Sequence, residues 1–440
     1  MSGRHVLVVG GGASGAIAAA HLLRDGASGF HVTIIEPSER LGHGLAYGTG
    51  SPSHLLNARA RSMSAFDDRP ADFADWLARG FGGANWAERY VERRLYGQYI
   101  EGLLRPWRGR RLTHIRATAV NLAEQGEGVR VDLDNGASVV GLSAVLAVGH
   151  GLRPAQGRQA APDGDVLILG TGLGMVDEVL SLEDAGHRGR ILALSRRGQL
   201  PQPHGPRGEM RLDAADIPFG THLSWLMRWL RAEARSAVAW QDLIDAVRPH
   251  VPEVWASLPP EARRRFLRHA RPWWDSHRHR MAPSVARRIA AALDDGRLEV
   301  VAGRVIEQVE GPGPTVAWRP RGGGAIERRR FAEVVDRTGP RQGPIAGDPL
   351  LAALILSGVT RPDALGIGIE VSPTLRVRTA SGAPHSRGIL AIGPIIGALG
   401  WETYAVPEIR RQCARVASEL ATIAMAGASV RRRPFRYAPG

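Results

Sequence analysis

The chain has 440 residues, 44% of them hydrophobic and 23% charged, a balance that suits a folded globular protein with room for more than one domain. Its single cysteine, Cys413, excludes an internal disulfide, a CxxC redox pair and any cysteine-ligated zinc or iron–sulfur centre. All 57 basic residues are arginine, set against 43 acidic ones for a net charge of +14. Without lysine, neither a Schiff base nor a Walker P-loop can be built.

The first element is "HVLVVG", a short apolar run of the kind buried on both faces of a parallel sheet. Gly10, Gly12 and Gly15 follow as G-x-G-x-x-G, and "AIAAAHLLRDG" continues as a helix. A second strand, "FHVTIIE", delivers Glu36. In such a turn the first glycine permits the bend and the second lets the backbone approach a pyrophosphate. The third allows helix to pack on strand, and the acid accepts the ribose hydroxyls.

Next comes an irregular, glycine-rich stretch around Gly42, Gly44, Gly48 and Gly50, suited to a loop wrapped around a ligand. "DFADWL" opens a helix, and "VRVDLDNGASVV" predicts a hairpin with Asn135-Gly136 as a type I′ turn. "LSAVLAVGHG" is a buried strand ending at Gly149 and Gly151, and residues 153–164 read as a linker.

The opening layout then recurs. "GDVLILG" is a strand, Gly170 and Gly172 open a turn, and "MVDEVLSLEDAG" is a helix. "RILALSRRG" is the following strand. Gly174 stands beside the third glycine slot, which Met175 occupies. Arg196 lies as far beyond Gly170 as Glu36 lies beyond Gly10, so counting sets Arg196 and Arg197 where the first copy has its acid. An acid suits a free 2′-hydroxyl, whereas an arginine pair suits a 2′-phosphate. The first turn is therefore expected to take FAD or NAD and the second NADPH. The alternative for the arginines is a solvated strand end.

Beyond this turn, residues 207–293 form an expected helical insertion rich in Trp and Arg. Trp225 and Trp229 share a helix face and are expected to pack in a core. His277 and His279 in "HRHR" lack the spacing and carboxylates of a metal site, so no metal is expected. Arg278 or Arg280 would suit an anion clamp, or a solvated helix end. His204 is either a catalytic contact or a loop histidine. "AEVVDRTGP" is read as a strand that crosses back into the first domain, ending at Thr338-Gly339-Pro340. A last strand, a Gly-Pro turn at Gly393-Pro394 and a long helix close the chain.

These segments resemble the two-dinucleotide flavoproteins grouped with FAD-dependent urate hydroxylase and aspartate N-monooxygenase. The marks are "GGGASG", "GLAYGTGSPSHLLNARARSMSAF", "ILGTGLGMVD", "LSRRGQLPQPH", "WDSHRHRMAP", "DRTGP" and "WETYAVPEIRRQ". Arg337 departs from the Cys that the resemblance leads one to expect. The resemblance implies an FAD site of Gly10, Gly12, Ala13, Ser14, Gly15 and Glu36, with Gly149 at the neighbouring strand end. His54, Asn57, Met63 and Ser64 would lie near the flavin ring, closed from the other side by Gly393, Pro394, Trp401 and Glu402. Gly170, Gly172, Leu173, Gly174, Arg196 and Arg197 would hold NADPH.

The expected fold class is α/β with two Rossmann-like dinucleotide-binding domains. An FAD domain (1–152 and 336–440) is interrupted by an NADPH domain (165–335). The expected activity is an FAD-dependent, NADPH-consuming monooxygenase acting on a small polar substrate, such as an amino acid or a purine-like ring, with dioxygen as co-substrate. The alternative is an NADPH-dependent flavin reductase that incorporates no oxygen. Nucleic acid is not the expected partner, since no stacking aromatics punctuate the basic runs. No apolar run approaches a membrane span, and "SGRHVLVVGGG" is no secretory signal, so a cytoplasmic location is expected.

Overall fold

A computed structural model describes residues 4–26, 28–150, 161–205, 208, 210–339, 345, 347–385 and 388–431, with side chains to residue 425. Gly151, Pro340 and most of the expected linker lie outside the described residues. The chain folds as two compact units. Unit 1 comprises Met1–Thr49, Arg59–Arg153 and Gln342–Gly440; unit 2 comprises Gly50–Ala58 and Pro154–Arg341.

Unit 1 begins with β1 (His5–Val9), α1 (Ala13–Arg24), β2 (His31–Ile35) and a one-turn α2 (Gly44–Tyr47). Helices α3 (Asp72–Phe81) and α4 (Arg93–Leu104) follow. Then come β3 (Leu112–Ile115), the antiparallel trio β4 (Ala119–Gln125), β5 (Gly128–Leu133) and β6 (Ser138–Gly141), and β7 (Ser143–Leu146). The expected hairpin is β5–β6, but its turn differs in type. Gly136 alone has positive φ, and its N–H donates to the Leu133 carbonyl at 3.1 Å. That is a turn through Asp134-Asn135 followed by a left-handed glycine, where type I′ would need positive φ at Asn135 also.

Unit 2 contains β8 (Val166–Leu169), α5 (Leu173–Asp184) and β9 (Ile191–Ser195). The helical insertion is α6 (Leu223–Ser236), α7 (Trp240–Val247), α8 (Val251–Ser257), α9 (Pro260–Arg265), α10 (Arg271–Arg278) and α11 (Pro283–Asp294). Strands β10 (Leu298–Val309), β11 (Thr315–Pro320), β12 (Glu327–Arg330) and β13 (Glu333–Asp336) complete it. The chain then returns to unit 1 with α12 (Pro349–Leu356), β14 (Ile389–Ala391) and α13 (Val406–Arg431).

The two units share a plan. Unit 1 has a parallel sheet in the order β14-β7-β1-β2-β3; unit 2 has β13-β8-β9-β10 in parallel, extended by antiparallel β11 and β12. Strands β1, β7 and β8 are almost wholly apolar and buried, as strands covered on both faces must be. The core of unit 2 gathers Leu167, Leu169, Leu192 and Leu194 against Val316, Trp318 and Phe331. One expectation is corrected here. The strand "AEVVD" does not cross back; it is β13, paired in parallel with β8 through Glu333–Val166 to Asp336–Leu169. In unit 1 it is β14 that flanks β7. A second correction concerns Trp225, which is 56% exposed on α6, a helix with no buried residue, and so is not core.

Candidate dinucleotide-binding sites

Each unit presents a glycine turn between its central strand and the following helix. Gly10 (φ +98°) and Gly170 (φ +108°) occupy the left-handed region that glycine alone enters cheaply. A side chain at Gly10 would stand 2.5 Å from the Ala147 carbonyl oxygen, and one at Gly170 would stand 2.5 Å from that of Arg337. Packing in the protein itself demands both glycines. Gly15 is demanded too, since its Cβ would lie 1.9 Å from the Gly10 oxygen. Met175 takes that slot in unit 2 and is fully buried.

The middle glycines behave differently. Gly12 and Gly172 have ordinary extended backbone, with ψ near −167° and −165°. A Cβ on Gly12 would touch nothing closer than 3.7 Å, and one on Gly172 meets no described atom within 4 Å. Neither conformation nor protein packing calls for glycine there. Both positions cap a helix N-terminus that has no side-chain cap and no acid in its first turn. A bare main chain, uncapped N–H groups and a positive dipole end together form the cradle that a pyrophosphate fits. Ala13 and Leu173 open the two helices, and Ser14 is buried within α1. Gly174 faces Arg337, whose Cβ lies 3.5 Å from the glycine's would-be side chain.

In unit 1 the Glu36 carboxylate is fixed at the tip of β2. It accepts from the N–H of Gly11 at 2.8 Å and from that of Ser38 at 3.0 Å. Each oxygen keeps a further lone pair for a ribose hydroxyl. Strand register now corrects the counting of unit 2. Gly10 donates to the Ile35 carbonyl and Gly170 to that of Leu194, so the structural counterpart of Glu36 is Ser195, with Arg196 one step beyond. β9 meets β8 one residue out of step with the way β2 meets β1, a shift that counting cannot reveal. Ser195 Oγ accepts from the Gly198 N–H at 3.0 Å and shares a 2.9 Å hydrogen bond with Thr171, which stands where unit 1 has Gly11. A small neutral hydroxyl thus replaces the acid. Arg196 is exposed, and Arg197 donates to the Arg268 carbonyl at 3.2 Å.

The remaining expected residues separate into two groups. Met63 and Ser64 are buried in unit 1. The Ser64 hydroxyl is spent locally, its one proton shared between the Arg69 carbonyl at 2.6 Å and the Phe66 carbonyl at 3.0 Å while its oxygen accepts from the Phe66 N–H. Gly393 (φ +79°) opens a 3₁₀ turn with Pro394; its would-be Cβ stands 3.1 Å from Ser14 Oγ, so the last turn abuts the first helix. Gln412 on α13, which sequence reasoning did not single out, accepts from the Gly393 N–H at 2.7 Å and donates to the Thr403 carbonyl at 3.0 Å. Trp401 and Glu402 are buried beside it in sequence. Gly149 follows β7 with φ +71°.

His54 and Asn57 lie instead in unit 2, because residues 50–58 are stitched to it. His54 Nε2 bonds the Asp177 carbonyl at 2.9 Å and the Ser181 hydroxyl at 3.0 Å on α5. The Asn57 carbonyl takes a 2.9 Å bond from His204 Nε2, and Arg288 donates to Ser53 Oγ at 2.7 Å. His204 thus ties residue 57 to the loop after β9. Arg280 is no anion clamp: it is 97% covered, ion-paired with Asp245 and set beside the Trp240 ring. Arg278 lies in the last turn of α10. His279, just beyond it, is pushed down to about 3 by burial first and then by Arg278, Arg271 and Arg248. Arg337, the departure from the resemblance, donates through Nε to Glu178 on α5 at 3.0 Å.

Residues 7–151 match a family described as FAD-NAD(P)-binding. No curated protein matches the chain in sequence. Solved structures do resemble it in fold. L-lysine 6-monooxygenase from Pseudomonas syringae has TM-score 0.63 at 17% identity, over 96% of this chain and 100% of that one. Ornithine N-hydroxylase from Kutzneria sp. 744, solved with reduced FAD, NADP+ and L-ornithine, has TM-score 0.63 at 16% identity, over 95% and 98%. Thioredoxin reductase from Lactococcus lactis has TM-score 0.53 at 12% identity, over 96% and 99%. These likenesses establish an α/β fold of two Rossmann-like domains.

Proposed function

We propose that the protein is a flavin-dependent NADPH oxidoreductase, a monooxygenase of a small polar substrate such as an amino acid or a purine-like ring. One observation carries the reading: two equivalent turns, each with a middle glycine the protein does not need, end in different residues, Glu36 in one and Ser195-Arg196 in the other. The matched FAD-NAD(P)-binding family over the first turn supports flavin there. The Kutzneria hydroxylase, solved with FAD, NADP+ and an amino acid, supports the pairing of coenzymes and the substrate class.

When bound, FAD supplies the electron-transfer chemistry, accepting two electrons from NADPH and passing them to dioxygen. The chain's own residues do the binding and the orienting. The α1 N-terminus and bare Gly12 would seat the FAD pyrophosphate, while Glu36 accepts ribose hydroxyls. Gln412 holds the Gly393 turn against Ser14. Buried Ile395 and Ile396 keep that turn dry, as oxygen transfer requires. In unit 2, Ser195 leaves room for a 2′-phosphate and Arg196 meets its charge. His204 serves this scheme as a positioning residue for residues 50–58.

The test is turnover with labelled dioxygen in the presence of candidate amino acids and purines. Incorporation of one labelled oxygen atom per NADPH consumed supports the monooxygenase. NADPH-driven reduction of an organic acceptor at an unchanged rate without oxygen overturns it in favour of a flavin reductase. A dithiol relay is not open to that reductase, since Cys413 is the only cysteine.

A further inference from the structure

The helical insertion contains a π-helical turn, Phe266–Ala270, between α9 and α10. Its signature bond runs from the Arg271 N–H to the Phe266 carbonyl. Such turns are rare and cluster at functional sites. A proline follows this bond at residue 272. In an α-helix the Arg268 carbonyl would receive the N–H of residue 272, but residue 272 is proline and has none. Arg197 Nη2 donates to that carbonyl at 3.2 Å. The insertion therefore meets the second glycine turn's arginine pair at this point. The bond also brings the Arg268 main chain against the Arg197 guanidinium. The Arg268 side chain is exposed and makes no ion pair or hydrogen bond with any described residue, and the same holds for Arg196.

We propose that Arg268 is a specificity-determining residue, a third cation of the coenzyme's 2′-phosphate site contributed by the helical insertion. This rests on the reading of unit 2 as the NADPH-binding unit. Arg197, anchored on the Arg268 carbonyl, joins the turn that carries Arg268 to the loop that carries Arg196, so both side chains would be available to a 2′-phosphate beyond Ser195. Guanidinium groups engage such a phosphate in charge-assisted pairs, and a coenzyme without the phosphate offers them nothing.

The experiment uses the flavin-loaded protein and measures dissociation constants for NADPH and NADH in wild type, Arg268→Gln and Arg235→Gln. Arg268→Gln keeps the main-chain carbonyl, so Arg197 keeps its anchor. Arg235 is an exposed arginine on α6 and controls for bulk charge. The expected result is NADPH binding weakened about tenfold by Arg268→Gln alone, with NADH binding unchanged. Equal weakening for both coenzymes, no weakening, or the same loss in Arg235→Gln overturns the proposal. If wild type itself shows no NADPH preference, the parent reading falls as well. If wild type prefers NADPH, Arg196→Gln abolishes the preference and Arg268→Gln does not alter it, only this inference falls.

Discussion

Replacing Gly172 by alanine separates the demands of fold and ligand. The added methyl meets no described protein atom within 4 Å, and φ −85°, ψ −165° is open to any residue. The change should alter stability by no more than about 1 kcal/mol, since a weaker N-cap is offset by a less flexible unfolded chain. The melting temperature should then move by only about 2–4 °C. A methyl in the space of a pyrophosphate acts like overpacking, at about 1–3 kcal/mol, or roughly 5- to 150-fold in affinity. Gly170→Ala is the counterpart: at φ +108° and 2.5 Å from a carbonyl oxygen it should cost stability by about 2–6 kcal/mol. The assay pairs thermal melting without nucleotide with NADPH titration. Gly172→Ala that binds NADPH within twofold of wild type, or that unfolds as badly as Gly170→Ala, refutes the reasoning.

Other predictions test separate parts of the account. Glu36→Gln should weaken FAD binding by about 1.5–3 kcal/mol, because charge-assisted acceptance of ribose hydroxyls is lost; flavin retained per chain after desalting measures it. His279 stays neutral in the fold to about pH 3 and gains a proton near 6.5 when unfolded, so stability falls as pH drops below 6.5. His279→Gln should remove about 1 kcal/mol of the loss seen between pH 7.5 and 5.5 in urea melts; an unchanged slope would contradict the burial argument. Burial pushes the Cys413 thiol well up, so a thiol reagent should react only on unfolding, and Cys413→Ser should retain NADPH turnover. Rapid labelling of the native protein would reopen a role for the thiol.

Much of the fold was legible because its signals are local. Apolar runs of strand length followed by glycines marked β1 and β8, and helix formers between them marked α1 and α5. Register was not legible. Glu36 and Arg196 stand equally far beyond their first glycines, yet hydrogen bonding aligns Glu36 with Ser195, and only comparing strand ends across the sheet would reveal it. The excursion of residues 50–58 was hidden for a related reason. "SPSHLLNA" has no periodicity, and the bonds that assign it to unit 2, such as His54 to Ser181 and His204 to Asn57, join residues far apart in sequence. Arg280 read as a free cation because nothing in "HRHR" announces Asp245. The role of Pro272 in freeing the Arg268 carbonyl was visible in principle, since a proline within a helical run always leaves one carbonyl without its donor.

The most direct measurement is anaerobic reduction of the purified protein, followed by its visible absorbance, with NADPH and NADH compared at equal concentration. Distinct coenzymes in the two turns predict a yellow protein bleached far faster by NADPH. A colourless protein, or one bleached equally by both nucleotides, would contradict the account.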